Sequence, residues 1–306
     1  MKRYPAKVEP EAEPAPVRRS HRRKRRRWFI PGLALLALLL FLLLPAFAGP
    51  RAVLLMSAYD RLNERHCVAR QSGVTVSLPL DTRIMGTALF PVMNTFNASA
   101  GLSAYLNQTV TFSIDYAIAG FKPLAARSEF YNPDSSLYNS YLGCYYVGGL
   151  GRQLTSTELM AVTAFDQTCL ALPALGLAAA DSQFEATDLQ TRAATLDGQT
   201  WLQADATLST NGPLHHVQGF QTGYLQFGWP PADAGGQAAD YAPLSMYGRM
   251  YLLYLPDKDL NLALYAMTAN QAALDQIDQQ ILQQVQLTYE SADTGDELTA
   301  AQPATS

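Results

Sequence analysis

Three rhythms of apolar and polar positions run along this chain. The first is an unbroken apolar run. Trp28–Phe47 holds twenty residues without a charge, with Leu33, Leu35, Leu36, Leu38, Leu39, Leu40, Leu42, Leu43 and Leu44 at its heart. Twenty helical residues span about 30 Å, the thickness of a bilayer's hydrocarbon core. The absence of a polar face argues against a helix half-buried in a soluble core, so the run is expected to form a transmembrane helix over 28–48. Pro31 and Pro45 fall near its ends, where a helix tolerates them best.

The second rhythm is period two. Val74, Val76 and Leu78 alternate with Thr75 and Ser77, and Val110, Phe112, Ile114, Tyr116 and Ile118 alternate over nine residues, which predicts strands. Ser140–Val147 is a third, tyrosine-rich strand, broken by Gly148-Gly149-Leu150-Gly151. Residues 184–230 read as further strands with turns at Asp197-Gly198 and Asn211-Gly212-Pro213, and Pro230–Gly236 reads as a loop. Met246–Leu255 and Leu260–Met267 form a hairpin across Pro256-Asp257-Lys258-Asp259, a turn composition in which Pro pre-sets the backbone angle.

The third rhythm is helical. Thr155 and Glu158 stand in capping-box spacing ahead of Leu159, Met160, Val162, Phe165 and Leu170, and Pro173 ends that helix. Leu274, Ile277, Ile281 and Val285 recur every three or four residues, so one apolar stripe is expected on a helix from about Asn270 to Leu287. Strands outnumber helices and do not alternate with them regularly. The expected class is α+β with a mostly antiparallel sheet and a few packed helices. About 215 residues are ample for one core.

Charge then orients the chain. Arg18–Arg27 carries eight Lys/Arg in ten positions directly before the apolar run. Residues 1–27 have a net charge of +8 and residues 49–306 a net charge of −12, so the overall −4 hides two regions of opposite sign. Basic flanks stay cytoplasmic, which places the rest outside the membrane. Anionic lipid head groups are the expected partner of Arg18–Arg27, rather than nucleic acid, because no aromatic residue interrupts the basic run. Ala46-Phe47-Ala48 has the form of a signal-peptidase site, but the segment preceding the apolar run is long for a signal peptide, and an uncleaved anchor is expected. The organisation that follows is a disordered basic cytoplasmic segment 1–27, a transmembrane helix 28–48, a stalk 49–72, one extracytoplasmic domain 73–288, and a disordered acidic tail 289–306.

Candidate chemistry is sparse. Cys144 and Cys169 fall in the same domain and are the favoured of the three pairings for a disulfide in an oxidising compartment, with Cys67 left over; three unpaired thiols are the alternative. No C-x-x-C or Cys/His spacing points to a metal, and no cofactor motif stands out. His215-His216 reads as a solvated turn, and His66 beside Cys67 lacks a pocket. The glycine run fits only two positions of a dinucleotide-binding loop, and a flexible connection is the better reading. No catalytic residues are assigned. Asn97-Ala98-Ser99 and Asn107-Gln108-Thr109 match glycosylation sequons.

Tyrosine is the one feature that hints at binding. Tyr138, Tyr141 and Tyr145 near one strand and Tyr247 and Tyr251 near another offer apolar faces with polar tips, which suit a peptide or glycan. Tyrosine also stabilises sheets as an ordinary strand former. Trp201 and Trp229 read as core. The expected function is a membrane-anchored, non-enzymatic domain that binds an envelope protein or glycan. An envelope hydrolase or transferase is the alternative.

Overall fold

The structure is a computed structural model that describes residues 22–44, 47, 54, 57–58, 60–89, 94–120, 129–172, 180–211 and 243–290. The chain divides into two compact units, Met1–Leu44 and Pro45–Ser306. The first holds helix α1 (Arg22–Leu43), which has Pro31 inside it. From Ile30 to Leu44 every described side chain except Phe41 is exposed. Among the described residues no helix is long and apolar enough to cross a membrane.

The second unit is α+β. Its seven-stranded sheet runs in the order β4 (Asn94–Asn97), β5 (Thr111–Ile118), β6 (Tyr141–Gly148), β10 (Leu260–Thr268), β9 (Pro243–Leu255), β8 (Gln199–Asn211), β7 (Phe184–Leu196). Every pairing in it is antiparallel. Two short pairs lie outside: β1 (Val74–Ser77) with β11 (Gln286–Tyr289), and β2 (Arg83–Ile84) with β3 (Thr87–Ala88).

Helices cover both faces of the sheet, so the core has two halves. On one face α3 (Ser99–Leu106) and α4 (Ser156–Phe165) pack Leu102, Leu159, Val162 and Phe165 onto Phe112, Tyr145 and Tyr265. On the other, α2 (Val68–Gln71) and α5 (Gln271–Gln280) bring Val68, Leu274 and Ile277 onto Cys144, Tyr146, Leu262 and Leu264. Coverage on both sides explains why β10 is buried at every position.

Local signals formed where the chemistry demanded them. The Thr155 hydroxyl accepts from the Glu158 amide and the Glu158 carboxylate accepts from the Thr155 amide, closing the capping box. Asp197 and Gly198 both take positive φ, as a tight hairpin between β7 and β8 requires. Asn270 caps α5 through the Ala273 amide.

Two elements differ from expectation. The last helix stops at Gln280; a 3₁₀ turn (Leu282–Gln284) and then β11 follow. The whole stripe Leu274, Ile277, Ile281 and Val285 is still buried together, but Val285 reaches the core from beyond the helix, because pairing with β1 uses the chain from Gln286 onward. The segment expected as a stalk also ends inside the core: Cys67, Val68 and Ala69 are buried, and the Val68 amide donates to Ser113 Oγ at 3.0 Å. The Pro230–Gly236 loop and the tail beyond Glu290 lie outside the described residues.

Candidate functional site

Four of the five tyrosines expected on a binding surface are core residues. Tyr141, Tyr145 and Tyr251 are buried, because helices cover both faces of the strands that carry them, and Tyr138 is buried in the turn that precedes β6. Tyr247, near the start of β9, is 43% exposed. The expected Cys144–Cys169 bond is not made: all three cysteines are free. Cys144 points to the α5 face of β6, whereas Cys169 is exposed on a π-helical turn (Asp166–Ala171) that extends α4 on the opposite face. The sheet separates them. His215, His216, Trp229 and Tyr241 lie outside the described residues. Trp201 is buried, with its indole N–H donating to the Leu196 carbonyl at 3.1 Å.

The glycine loop after β6 is fastened rather than flexible. The Gly151 amide donates to Asp259 Oδ1 at 2.6 Å and the Leu154 amide to Asn261 Oδ1 at 2.8 Å. These donors serve the β9–β10 turn and the start of β10 and are not turned toward a phosphate. Among the described residues no group of three or more His, Cys, Asp or Glu is placed to hold a metal.

The structure assembles three polar networks instead. Asp166, on the π-helical turn, is 0% exposed in the α4-side core. It accepts from the Tyr116 hydroxyl and, at 2.7 Å, from the Tyr145 hydroxyl, and Tyr145 stacks on Tyr265 with ring centroids 4.3 Å apart. Burial pushes its carboxyl up to about 6, against the pull of the two phenol donors. On the other face Asp115 accepts from Tyr146 at 2.6 Å and Thr95 at 2.7 Å, and burial pushes it up to about 6 as well.

A stability prediction follows from these two carboxyls. A carboxyl whose pKa is raised by folding stabilises the folded state fully below its unfolded value near 4. That stability is lost as pH rises through the folded value, about 6. The protein is therefore expected to melt several degrees higher at pH 5 than at pH 7.5. Glu158, lowered to about 2 chiefly by its bond with Arg152, acts in the reverse sense but only below about pH 4.5. Asp166→Asn should flatten the slope between pH 5 and 7.5 by roughly half. Thermal melts across that range test this; an unchanged slope in the variant would assign the titration elsewhere.

The third network is the one beside open solvent. Arg249 on β9 donates from Nε to Asp205 Oδ1 at 2.6 Å and from Nη1 to Asp278 Oδ2 at 2.7 Å, with Asp275 at 3.6 Å. Asp278, on α5, also accepts from Tyr251 at 2.7 Å and Gln283 at 2.8 Å. Arg249 lines a cleft of about 180 Å³ together with Asp188, Gln190, Asp205, Thr207, Tyr247 and Gln271 among others. Ligand pockets typically enclose about 300–1,000 Å³, so this cleft suits one side chain or one sugar hydroxyl cluster rather than a whole cofactor. Arg249→Met should lower stability by about 2–3 kcal/mol, because Asp278 stays behind buried without its cation, while Asp205 keeps only the more exposed Arg192 at 3.5 Å. Urea denaturation measures this, and an unshifted midpoint would mean the network is worth nothing to the fold.

None of these networks was foreseen from the sequence. The available signals were single charges at strand positions, Asp115 on β5 and Arg249 on β9, that an otherwise apolar context does not favour. Fold and networks together define an α+β domain with an antiparallel sheet covered on both faces. Comparison with protein-family models, curated proteins and solved structures finds no match.

Proposed function

We propose that this is a single-pass membrane protein, N-terminus cytoplasmic, whose α+β domain lies outside the cell membrane and binds an envelope protein or glycan without catalysing a reaction. The observation that carries the anchor is α1: Leu33, Leu35, Leu36, Leu38, Leu39, Leu40, Leu42 and Leu43 are bare around the whole circumference of the helix. An apolar helix without a polar face needs an apolar solvent. Residues 28–48 would lodge in the bilayer, with Arg18–Arg27 against anionic head groups on the cytoplasmic side. The support for binding is narrower. Tyr247 stands exposed at the rim of a small cleft furnished with carboxylates, amides and a hydroxyl, a composition that takes hydrogen bonds from a partner's polar groups.

Protease added to intact spheroplasts should digest the domain while leaving a short membrane fragment. A domain protected until lysis would overturn the topology. For binding, a photo-crosslinking amino acid at position 247 should trap one recurrent envelope species in intact cells. Turnover of an envelope substrate by the purified chain, abolished by changes at Asp205 or Arg249, would instead make it an enzyme.

A further inference from the structure

Two buried thiols, Cys67 and Cys144, lie in the same half of the core as α2. Cys67 immediately precedes that helix, Cys144 sits in the middle of β6, and both belong to the core on the α5 face. Ser113 on β5 joins their surroundings. Its hydroxyl accepts from the Val68 amide at 3.0 Å, and the Cys67 thiol lies against the same hydroxyl. The register puts Cys144 directly opposite Asp115, hence diagonal to Ser113 on the same face, a spacing at which side chains of adjoining strands still meet. The thiols are within electrostatic reach of each other and share the Asp115 carboxylate as a neighbour. Cys169, exposed on the other side of the sheet, has no such companion.

We propose that Cys67 and Cys144 form a disulfide that fastens the chain leaving the membrane helix to the centre of the sheet. It rests on the exported placement proposed above, since disulfides persist in oxidising compartments. Each thiol gives up a proton and the pair gives up two electrons as the Sγ–Sγ bond forms. The oxidant is a disulfide-bearing exchange partner, protein or small molecule, whose own S–S bond breaks to yield two thiols through a mixed disulfide.

Burial sets the timing of that exchange. In the folded reduced protein it pushes the Cys67 thiol up to about 12 and raises Cys144 well above its ordinary range. Thiolate, the reactive form, is then scarce. The bond forms while α2 is still undocked from β5 and β6, and docking shields it from reduction.

Peptide mapping of the full chain decides the pairing. The protein is isolated from membranes under denaturing conditions with an alkylating agent present, and a second sample is reduced, unfolded and refolded in a glutathione redox buffer. Both samples should yield a linked Cys67–Cys144 peptide pair with Cys169 alkylated. Three alkylated thiols in the membrane sample, with the bond present after refolding, would keep the pairing and overturn the exported placement. Three alkylated thiols after refolding, or a bond to Cys169, would overturn the pairing. Under non-reducing conditions C67S should melt about 8 °C below the parent, from loss of a long closed loop, while C169S should melt with it. Equal melting of C67S and the parent would also count against the fastening.

Discussion

Gly143→Ala is expected to keep the domain from folding. Gly143 lies in the middle of β6, paired with Tyr116 on one side and Tyr265 on the other. A Cβ built there would stand 1.8 Å from the Asp115 carbonyl oxygen and 2.9 Å from the Tyr265 hydroxyl. The first of these is backbone on the adjoining strand, held by the ladder, so relief requires the β5–β6 pairing to open. The Tyr265 hydroxyl also donates to that same carbonyl at 3.2 Å, a bond that passes through the space glycine leaves. The cost should exceed about 3 kcal/mol, a large share of the roughly 5–15 kcal/mol that holds a domain together. Gly248→Ala is the comparison. Its Cβ would meet only the Leu208 side chain, Cδ1 at 2.8 Å and Cγ at 3.1 Å, and no backbone of an adjoining strand. Soluble yield and circular dichroism should show Gly143→Ala aggregated or unfolded and Gly248→Ala folded with a modestly lower melt. A folded Gly143→Ala protein would mean that β5 and β6 do not approach as described.

Ile281→Asp should be nearly as damaging. Ile281 is 0% exposed and belongs to the core that joins α5 to the sheet. A carboxylate there would stand in an apolar cluster, and Asp278, three residues earlier, already spends its oxygens on Arg249, Tyr251 and Gln283. The new side chain must stay charged and unpaired or take up a proton, and its apolar contacts are lost either way. About 4 kcal/mol or more is the expected loss. Removing Ala292–Ser306, polar and acidic in sequence with no apolar stripe, should change the melt by almost nothing. Denaturation of the three proteins side by side measures this; a tail deletion worse than Ile281→Asp would misplace the domain's C-terminal boundary.

Strands were legible wherever alternation was strict. β5, the β9–β10 turn and the capped start of α4 stand within a residue or two of their expected places, while β9 begins three residues earlier than expected. What alternation does not carry is which faces are covered. On β5 the second face reads Thr111, Ser113, Asp115 and Ala117, and a polar face is ordinarily a wet one. Here α2 and the segment before β1 lie over it, and Ser113 and Asp115 are satisfied by Asn97, Thr95 and Tyr146. The tyrosines illustrate the same gap, since only burial distinguishes Tyr251 from Tyr247. The disulfide expectation failed on parity: Cys144 and Tyr145 are neighbours in sequence but point to opposite faces. The end of the last helix was invisible because no glycine or proline marks it; pairing of β11 with β1, a contact across the whole domain, decides where it stops.

The strand order has a kinetic consequence. β6 and β10 are neighbours at the middle of the sheet, yet Tyr141 pairs with Met267 and Gly148 with Leu260, so the central seam closes a loop of more than a hundred residues. Such closures are entropically costly and slow folding. A ribosome or translocon releasing this chain would deliver β4, β5 and β6 long before β10, α5 and β11 exist to flank or cover them. The early strands would wait with an open edge and uncovered apolar faces, the condition that invites association with other chains. Premature termination anywhere before Leu260 should therefore yield a species that is not a smaller version of the domain but one lacking its centre.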